Sequence, residues 1–220
     1  MSPFIVFEGI EGCGKSTQID LLATYLRGLK RACLITREPG GTPLGESLRE
    51  LLLRWEGTGL DGLAELFLLE ASRRVHVEQL ILPALAGGTV VLSDRFSDSS
   101  VAYQGGGRGV DLDLIRRLNH AATGGLRADL TILLDLPAEA GLRRVERRDR
   151  AEDRLEREVL AFHERVREAY LDIARQGAPG FRVVDASQSR EEIFTQILGC
   201  VDPLLIRDSS EGPRTRRPIS

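Results

Sequence analysis

The chain has 220 residues, of which 42% are hydrophobic and 29% charged, and this composition predicts one globular domain with a substantial core. A net charge of −3 gives no overall attraction to nucleic acid or to an anionic membrane. No stretch has the roughly 18 apolar residues that cross a bilayer, so we expect a cytoplasmic protein with no nucleic-acid partner and no membrane partner.

Five short apolar runs predict β-strands, at 4–7, 32–35, 90–92, 130–134 and 181–184. Helical patterns separate them, the longest over 60–85, interrupted near Pro83, and over 155–175, where Leu160, Val166 and Tyr170 should face the core. Buried strands that alternate with helices form parallel sheets covered on both faces. The sequence therefore predicts an α/β fold of three layers around a five-stranded parallel sheet.

A phosphate-binding loop is predicted directly after the first strand. Gly9, four further residues, and then Gly14, Lys15 and Ser16 match the P-loop pattern between a predicted strand and a predicted helix. The glycines let backbone N–H groups converge on phosphate oxygens, and the helix adds its positive end. Lys15 should reach the β- and γ-phosphates, and the Ser16 hydroxyl should bind Mg²⁺. The predicted ATP-binding residues are Gly9, Ile10, Glu11, Gly12, Cys13, Gly14, Lys15, Ser16 and Thr17.

Charged residues follow the next two strands, at the edge where open α/β sheets bind ligands. Arg37 can hold a second phosphate, although a solvent-exposed arginine beside a Pro-Gly-Gly turn is an equally good interpretation. Asp94 is a candidate magnesium ligand and Arg95 a candidate phosphate clamp, with a strand-end ion pair as the alternative.

Two further segments carry polar side chains suited to a ligand pocket. Residues 99–107 read as a mobile polar loop in which Tyr103 supplies an aromatic plane and Gln104 an amide, although Tyr103 is equally suited to a core. Arg73 and Arg74 lie on a predicted helix, and one of them can point into the cleft. The three histidines lack metal or triad spacing and are expected to be structural or solvent-facing.

An arginine-rich stretch begins at residue 143, and most such runs are solvated helix faces. It can instead form a lid, over about 143–154, that brings guanidinium groups to the transferred phosphoryl group and excludes water. Residues from 207 onward are rich in Ser, Pro, Gly and Arg. We therefore expect one domain over 1–206 and a disordered tail over 207–220.

Four segments together resemble bacterial thymidylate kinase, over nearly the whole chain up to the tail. They are FEGIEGCGKST at 7–17, TREPGGT at 36–42, DRF at 94–96 with YQG at 103–105, and DRLE at 153–156. The resemblance implies the P-loop kinase fold and transfer of the γ-phosphoryl group of ATP to thymidine 5′-monophosphate (dTMP) with Mg²⁺. It also implies a homodimer.

The resemblance also implies roles for individual residues. Arg37, Arg73 and Arg95 resemble the acceptor-phosphate clamp, and Glu11 resembles the acidic loop residue near the acceptor. The implied catalytic residues are Lys15, Arg95, Arg147, Arg148 and Arg150, the last three in the lid. The implied dTMP-binding residues are Glu11, Arg37, Leu69, Arg73, Arg95, Ser100, Tyr103 and Gln104, and the implied metal ligands are Ser16 and Asp94.

The sequence departs from the family pattern where the base should stack. The family usually has phenylalanine four residues before Arg73, but the residue here is Leu69, and Phe67 lies on the opposite side of the predicted helix. Phe96 replaces the more usual tyrosine or histidine. A kinase for another nucleotide is therefore an alternative. A binding switch of the GTPase class is a second one, although the sequence has no Asn-Lys-x-Asp tetrapeptide to read guanine.

Overall fold

The computed structural model describes residues 2–55, 57, 60–147, 153–156 and 158–210, in which strands and helices alternate. The strands are β1 (Phe4–Glu8), β2 (Cys33–Arg37), β3 (Val90–Asp94), β4 (Leu130–Asp135) and β5 (Phe181–Asp185). The helices are α1 (Lys15–Gly28), α2 (Pro43–Arg54), α3 (Gly62–His76), α4 (Leu82–Ala86), α5 (Ser97–Ser100), α6 (Leu112–Thr123), α7 (Ala138–Glu146), α8 (Leu160–Arg175) and α9 (Arg190–Ser210), with π-helical turns at Val77–Ile81 and Val101–Gly107.

The five strands form one parallel sheet in the order β2-β3-β1-β4-β5. Side chains along β1 alternate between two cores. Ile5 and Phe7 pack in the core that includes α1 and α9, whereas Phe4 and Val6 pack in the core that includes Val77–Ile81 and α4. The predicted α/β fold with a five-stranded parallel sheet is confirmed.

The carboxyl ends of the central strands bring polar residues together. Arg37 is in register with Asp94, and Asp94 with Phe7, so the ends of β2, β3 and β1 lie side by side. The P-loop follows β1 at this edge and leads into α1. The sheet therefore places the phosphate loop next to the charged residues that end the neighbouring strands.

The two long helical patterns have different boundaries from those predicted. The pattern at 60–85 is helical from Gly62 onward, but Val77–Ile81 is π-helical and Pro83 lies in the first turn of α4, where its missing N–H is tolerated. The pattern at 155–175 becomes helical only at Leu160, which is 40% exposed, so its predicted core position is wrong. Val166 and Tyr170 are buried as predicted.

The segment predicted as a mobile loop is helical and packs closely against α8. Residues 97–107 form α5 and the second π-helical turn. A Cβ added at Gly106 would lie 2.5 Å from the Cβ of Ala169, and one at Gly107 would lie 2.5 Å from the Phe162 ring. The glycines thus allow a close approach between two helices instead of providing mobility.

The last helix extends past the predicted start of the tail. It continues to Ser210, and Arg31 holds its end by an ion pair of 2.6 Å with Asp208 and a hydrogen bond of 2.9 Å to the carbonyl of Leu205. The part of the predicted tail at 211–220 lies outside the described residues. Among the described helices, none is both long enough and apolar enough to cross a membrane.

The P-loop is packed directly against α7, which begins the predicted lid segment. Gly12 has a φ of 73°, and a Cβ there would lie 2.2 Å from the carbonyl oxygen of Gly141. Arg144 donates from Nη1 to the carbonyl of Gly12 at 3.3 Å. The orientation of α7 therefore depends on a backbone-to-backbone contact that only glycine permits.

This contact predicts a difference between two glycine substitutions. Gly12→Ala should lower the free energy of unfolding by more than Gly88→Ala, because both glycines have φ near 75° but Gly88 has no neighbouring atom within 4 Å of the added Cβ. Urea denaturation of the two variants measures the difference. If the two variants lost equal stability, the destabilisation of Gly12→Ala would come from backbone strain alone, and the contact with Gly141 would contribute nothing.

Candidate active site

A cavity opens at the carboxyl edge of the sheet and is continuous with the P-loop. Its lining comes from the P-loop, the ends of β2 and β3, α2, α3, residues 99–104 and the turn at 153–156. All the predicted acceptor residues line this space, and so do the predicted ATP-binding residues except Gly9, Ile10 and Cys13. The P-loop lies at one end, and Leu69, Arg73 and Gln104 contribute to the lining elsewhere.

The P-loop has the geometry expected of an anion site. Gly14 has a left-handed conformation with φ of 99° and directly precedes Lys15, the first residue of α1. The Nζ atom of Lys15 donates to the carbonyls of Gly9 and Ile10 at 3.0 and 3.1 Å. Because these acceptors are neutral, an anionic phosphate oxygen competes with them favourably.

Ser16 and Asp94 are brought together as candidate magnesium ligands. The Ser16 hydroxyl lies 3.3 Å from Oδ2 of Asp94, across the gap between α1 and β3. Hydroxyl and carboxylate oxygens suit Mg²⁺, which typically takes few protein ligands and completes its octahedron with water and phosphate oxygens. Within the described ranges no cluster of three His, Cys, Asp or Glu residues could hold a metal, so this pair is the donor set that fits.

Arg95 is held in a fixed orientation inside the cavity. Its Nη2 donates to Oε1 of Glu11 at 2.9 Å and to the hydroxyl of Tyr103 at 2.8 Å, and its Nη1 donates to Ser99 and Tyr170. The backbone of Arg95 has a φ of 75°, which is unfavourable for a residue with a side chain. Such strain is found at functional sites where the surrounding contacts outweigh its cost.

Glu11 is the carboxylate that pairs with Arg95. Burial alone would raise the pKa of Glu11, but the charge of Arg95, contact with His163 and the charge of Lys15 hold that pKa well below its usual range. Nδ1 of His163 lies 3.3 Å from Oε2 of Glu11. His163 therefore lies against a site carboxylate, and the sequence had no spacing signal for this pairing.

Arg73 occupies a different environment from Arg37 and Arg95, with which the sequence grouped it as a phosphate clamp. It is 1% exposed, and its guanidinium bonds to Glu38 at 2.8 Å and to Glu70. The same group donates to Ser100 at 3.0 Å. Two buried carboxylates offset its charge, so Arg73 is less suited than its neighbours to attract a dianionic phosphate.

The more exposed basic wall of the cavity includes an arginine that the sequence analysis missed. Arg37 is half-exposed and pairs with Glu46 at 2.8 Å. Arg49 lines the same cavity and donates to the carbonyl of Pro39 at 3.0 Å. Arg49 lies on α2, which the sequence analysis did not identify, and the segment Leu-Arg-Glu-Leu-Leu-Leu around it carries no recognisable chemical motif.

The region expected to hold the base combines apolar and polar side chains. Leu69 lines the cavity, whereas Phe67 is 54% exposed and does not replace it. Ser100 and Gln104 are both buried at the cavity wall. Tyr103 is buried, as its predicted core alternative requires, and its ring packs against Phe162. Its hydroxyl donates to Glu11 at 2.6 Å, and Tyr103 also lines the cavity.

Only part of the predicted arginine lid lies within the described residues. Arg147 directly follows α7 and is exposed, while Arg148 and Arg150 lie outside the described ranges. At the far end, Asp153 accepts hydrogen bonds from the backbone N–H groups of Leu155 and Glu156 at 3.0 Å each. This local turn explains why α8 begins only at residue 160.

Glu8 is a second site residue that the sequence analysis did not single out. It ends β1, is fully buried, and accepts hydrogen bonds from Phe96 N–H, Ser99 and Tyr170 at 2.6–2.9 Å. Burial, reinforced by the nearby Asp98 carboxylate, raises the pKa of Glu8 to about 7. Because Ser99 and Tyr170 also contact Arg95, Glu8 supports the orientation of that arginine.

The raised pKa of Glu8 predicts a pH-dependent stability. Between about pH 4.5 and pH 7 the folded protein keeps a proton that the unfolded chain has released, so this group lowers stability as the pH rises. Glu8→Gln lacks the effect, and its stability relative to the native chain should increase by about 3 kcal/mol from pH 5 to pH 8. Urea denaturation across this range tests it, and parallel pH curves for the two proteins would contradict it.

Comparison with known proteins finds relatives that match nearly the whole chain. The profile of the thymidylate kinase family matches residues 7–197. The thymidylate kinase of Desulfovibrio desulfuricans is 50% identical over 210 residues, which are 93% of this chain and 97% of that protein. The thymidylate kinase of Thermosynechococcus vestitus is 48% identical, over 90% of this chain and 86% of its own length.

A solved structure gives the same result at the level of the fold. The crystal structure of thymidylate kinase from Ehrlichia chaffeensis superimposes with a TM-score of 0.73 at 35% sequence identity, covering 91% of this chain and 98% of that one. Sequence relatives and fold therefore agree over nearly the full length. The chain belongs to the thymidylate kinase family.

Proposed function

We propose that this protein transfers the γ-phosphoryl group of ATP to dTMP, giving the diphosphate dTDP and ADP, as a step in the supply of dTTP. The observation that carries the proposal is the single cavity shared by the P-loop and the arginine-lined pocket. A donor triphosphate on the loop and an acceptor phosphate in the pocket would lie side by side. Family membership favours dTMP over another mononucleotide as the acceptor. It also favours a kinase over a nucleotide-binding switch.

The P-loop holds the donor in this proposal. Backbone N–H groups of residues 9–17 and the N-terminus of α1 surround the β- and γ-phosphates. Lys15 exchanges its loop carbonyls for phosphate oxygens. Ser16 and Asp94 hold Mg²⁺, which neutralises charge on the phosphates when it is bound.

The acceptor phosphate is held by Arg95 and Arg37, with Arg49 close to both. An oxygen of the acceptor phosphate attacks the γ-phosphorus, and the bond from that phosphorus to the β–γ bridging oxygen breaks. The attacking oxygen is already anionic, so no general base is needed. The protein contributes alignment and positive charge, which are the main sources of acceleration in phosphoryl transfer.

The base is held at the wall formed by Leu69, Arg73, Ser100 and Gln104. Arg73 donates from Nε to Glu38, and one of its Nη2 hydrogens is donated to the carbonyl of Phe96. The second Nη2 hydrogen has no partner among the described residues. We therefore assign Arg73 to a base carbonyl instead of the phosphate. Leu69 packs on the base face with less area than phenylalanine provides.

The lid completes the site in our proposal. Residues 143–146 form the end of α7, and Arg147 directly follows it. In the proposal, Arg147, Arg148 and Arg150 bring positive charge to the transferred phosphoryl group, and the lid excludes water. We also propose that residues 1–206 form a single P-loop kinase domain. Its last helix, α9, continues to residue 210. We place the enzyme in the cytoplasm, where ATP and Mg²⁺ are available.

A homodimer is also part of the proposal. The helices α2 and α3 pack together and expose several large apolar side chains, including Leu44, Leu51, Leu63 and Phe67. Phe67 is 54% exposed although phenylalanine favours burial. A second copy of the chain packed on these helices would remove this apolar surface from water.

An acceptor panel tests the proposed reaction. ADP release from ATP and Mg²⁺ should be fastest with dTMP among the monophosphates of thymidine, deoxyuridine, cytidine, adenosine and guanosine. Preference for a different acceptor would overturn the assignment of the substrate. Hydrolysis that does not depend on any acceptor would favour the binding switch.

Two substitutions test the catalytic roles. Lys15→Ala and Arg95→Ala should each lower kcat/KM for dTMP by at least about 100-fold, because each removes a positive charge from the reacting phosphates. Arg175→Ala is the matched control, since Arg175 is exposed on α8 and pairs only locally. Activity within threefold of the native protein in either site variant would contradict its role.

A substitution on α3 tests the dimer. Phe67→Asp should convert a dimer into a monomer in multi-angle light scattering, because it would bury a charge in the apolar interface. Ile206→Asp, on exposed Ile206 of α9, should leave the dimer intact. A native protein that is monomeric at micromolar concentration would contradict the proposal directly.

A further inference from the structure

Glu65 is a buried carboxylate that joins the acceptor cavity to the turn at 153–156. It lies in the first turn of α3 and is 1% exposed. Its Oε1 accepts from Arg154 at 2.7 Å and pairs with Arg108 at 3.1 Å. Its Oε2 accepts from Nε2 of Gln104 at 3.0 Å and from Nε of Arg108 at 3.4 Å. One side chain thus contacts two cations and a residue of the cavity wall.

This arrangement determines the orientation of the Gln104 amide. The two carboxylate oxygens of Glu65 accept hydrogen bonds from its guanidinium partners, and the atom of Gln104 that faces them is the donor Nε2. The amide oxygen must then lie on the other side of the side chain. Oε1 of Gln104 is buried and accepts no hydrogen bond from the residues that the structure describes, although Gln104 lines the cavity.

An unpaired buried oxygen favours ligands that bring a donor to it. At ring position N3, thymine and uracil carry a hydrogen, whereas cytosine carries a lone pair. A carbonyl oxygen of Gln104 therefore attracts the first two bases and repels the third. An inverted amide, with its nitrogen toward the ligand, would reverse this preference.

We propose that Glu65 is a positioning residue that sets the acceptor selectivity by holding the amide oxygen of Gln104 toward the base. The inference rests on the proposed contact between Gln104 and the acceptor base. Glu65 does not touch the ligand and acts only through Gln104. Its two arginine partners have a part in this, because their ion pairs hold the Glu65 carboxylate in place beside Gln104.

The substitution Glu65→Gln tests the mechanism because it keeps the shape of the side chain. Arg154 and Arg108 can only donate, and both lie closer to Oε1, at 2.7 and 3.1 Å, than Nε of Arg108 lies to Oε2, at 3.4 Å. The oxygen of the new glutamine is therefore expected at the position of Oε1. Its nitrogen then faces Gln104, which must turn its own oxygen toward residue 65 and its nitrogen toward the cavity. The variant is thus expected to present a donor to the base where the native protein presents an acceptor.

The measured quantity is the ratio of kcat/KM values for different acceptors. In Glu65→Gln the ratio of dTMP to dCMP should fall by about 10- to 100-fold. The ratio of dTMP to dUMP should stay within threefold, because both bases carry the N3 hydrogen. Glu65→Asp, which can still only accept, should keep the native dTMP to dCMP ratio.

Glu158→Gln is the matched control. Glu158 also pairs with Arg108, at 2.6 Å, and its loss removes the same charge from the same arginine without touching Gln104. The dTMP to dCMP ratio should not change in this variant. Thermal unfolding of each variant confirms that it is folded before its kinetics are compared.

The outcomes separate this inference from the proposed function. If the native protein prefers dTMP and folded Glu65→Gln keeps the native ratio, or loses activity equally toward all three acceptors, the role of Glu65 is overturned. If the native protein does not prefer dTMP to dCMP, the proposed function itself fails. If Glu65→Gln does not fold, a crystal structure of the native protein with dTMP decides. Nε2 of Gln104 should keep its contact with Glu65 while the other amide atom of Gln104 lies within hydrogen-bond distance of N3 of the base, and loss of the contact with Glu65 would contradict the inference.

Discussion

Pairing between arginines and buried carboxylates is the interaction on which the acceptor cavity depends. A guanidinium group removed from water without a partner costs several kcal/mol, so each buried arginine at this edge of the sheet has an acid next to it. Glu38 holds Arg73, Glu11 holds Arg95, and Glu65 holds Arg154. Because each pair joins different elements, the pairs fix α3, β3 and the turn at 153–156 relative to one another.

The same pairing explains how the site is prepared for phosphoryl transfer. Arg95 adopts a left-handed backbone conformation, a strain that costs about 1–3 kcal/mol, and its four side-chain hydrogen bonds offset it. The guanidinium is therefore oriented by the folded protein, and the entropy of ordering it is lost on folding instead of during the reaction. Glu8 extends this support to β1 through Ser99 and Tyr170.

The departures from the usual family pattern lie in the proposed base wall and not among the residues proposed to hold the phosphates. Leu69 stands where the family usually has phenylalanine, and the exposed Phe67 does not compensate. The polar part of the base wall is correspondingly well ordered, since Ser100 is held by Arg73 and Gln104 by Glu65. In this interpretation the selectivity for the base depends more on hydrogen bonding than on stacking.

The sequence by itself determined the fold class, the positions of the five strands, the P-loop and the family, because each rests on a local pattern: apolar runs, glycine spacing, or a short motif at a strand end. The placement of Ser16, Asp94 and Arg95 at one cavity was predictable for the same reason. Only the tertiary structure showed that Arg73 is offset by Glu38 and Glu70, that residues 97–107 pack as helix on α8, and that Glu8 and Glu65 support the site. These features depend on contacts between residues distant in the chain, as for Glu65 and Arg154, and on how deeply each charge is buried, which local patterns do not encode.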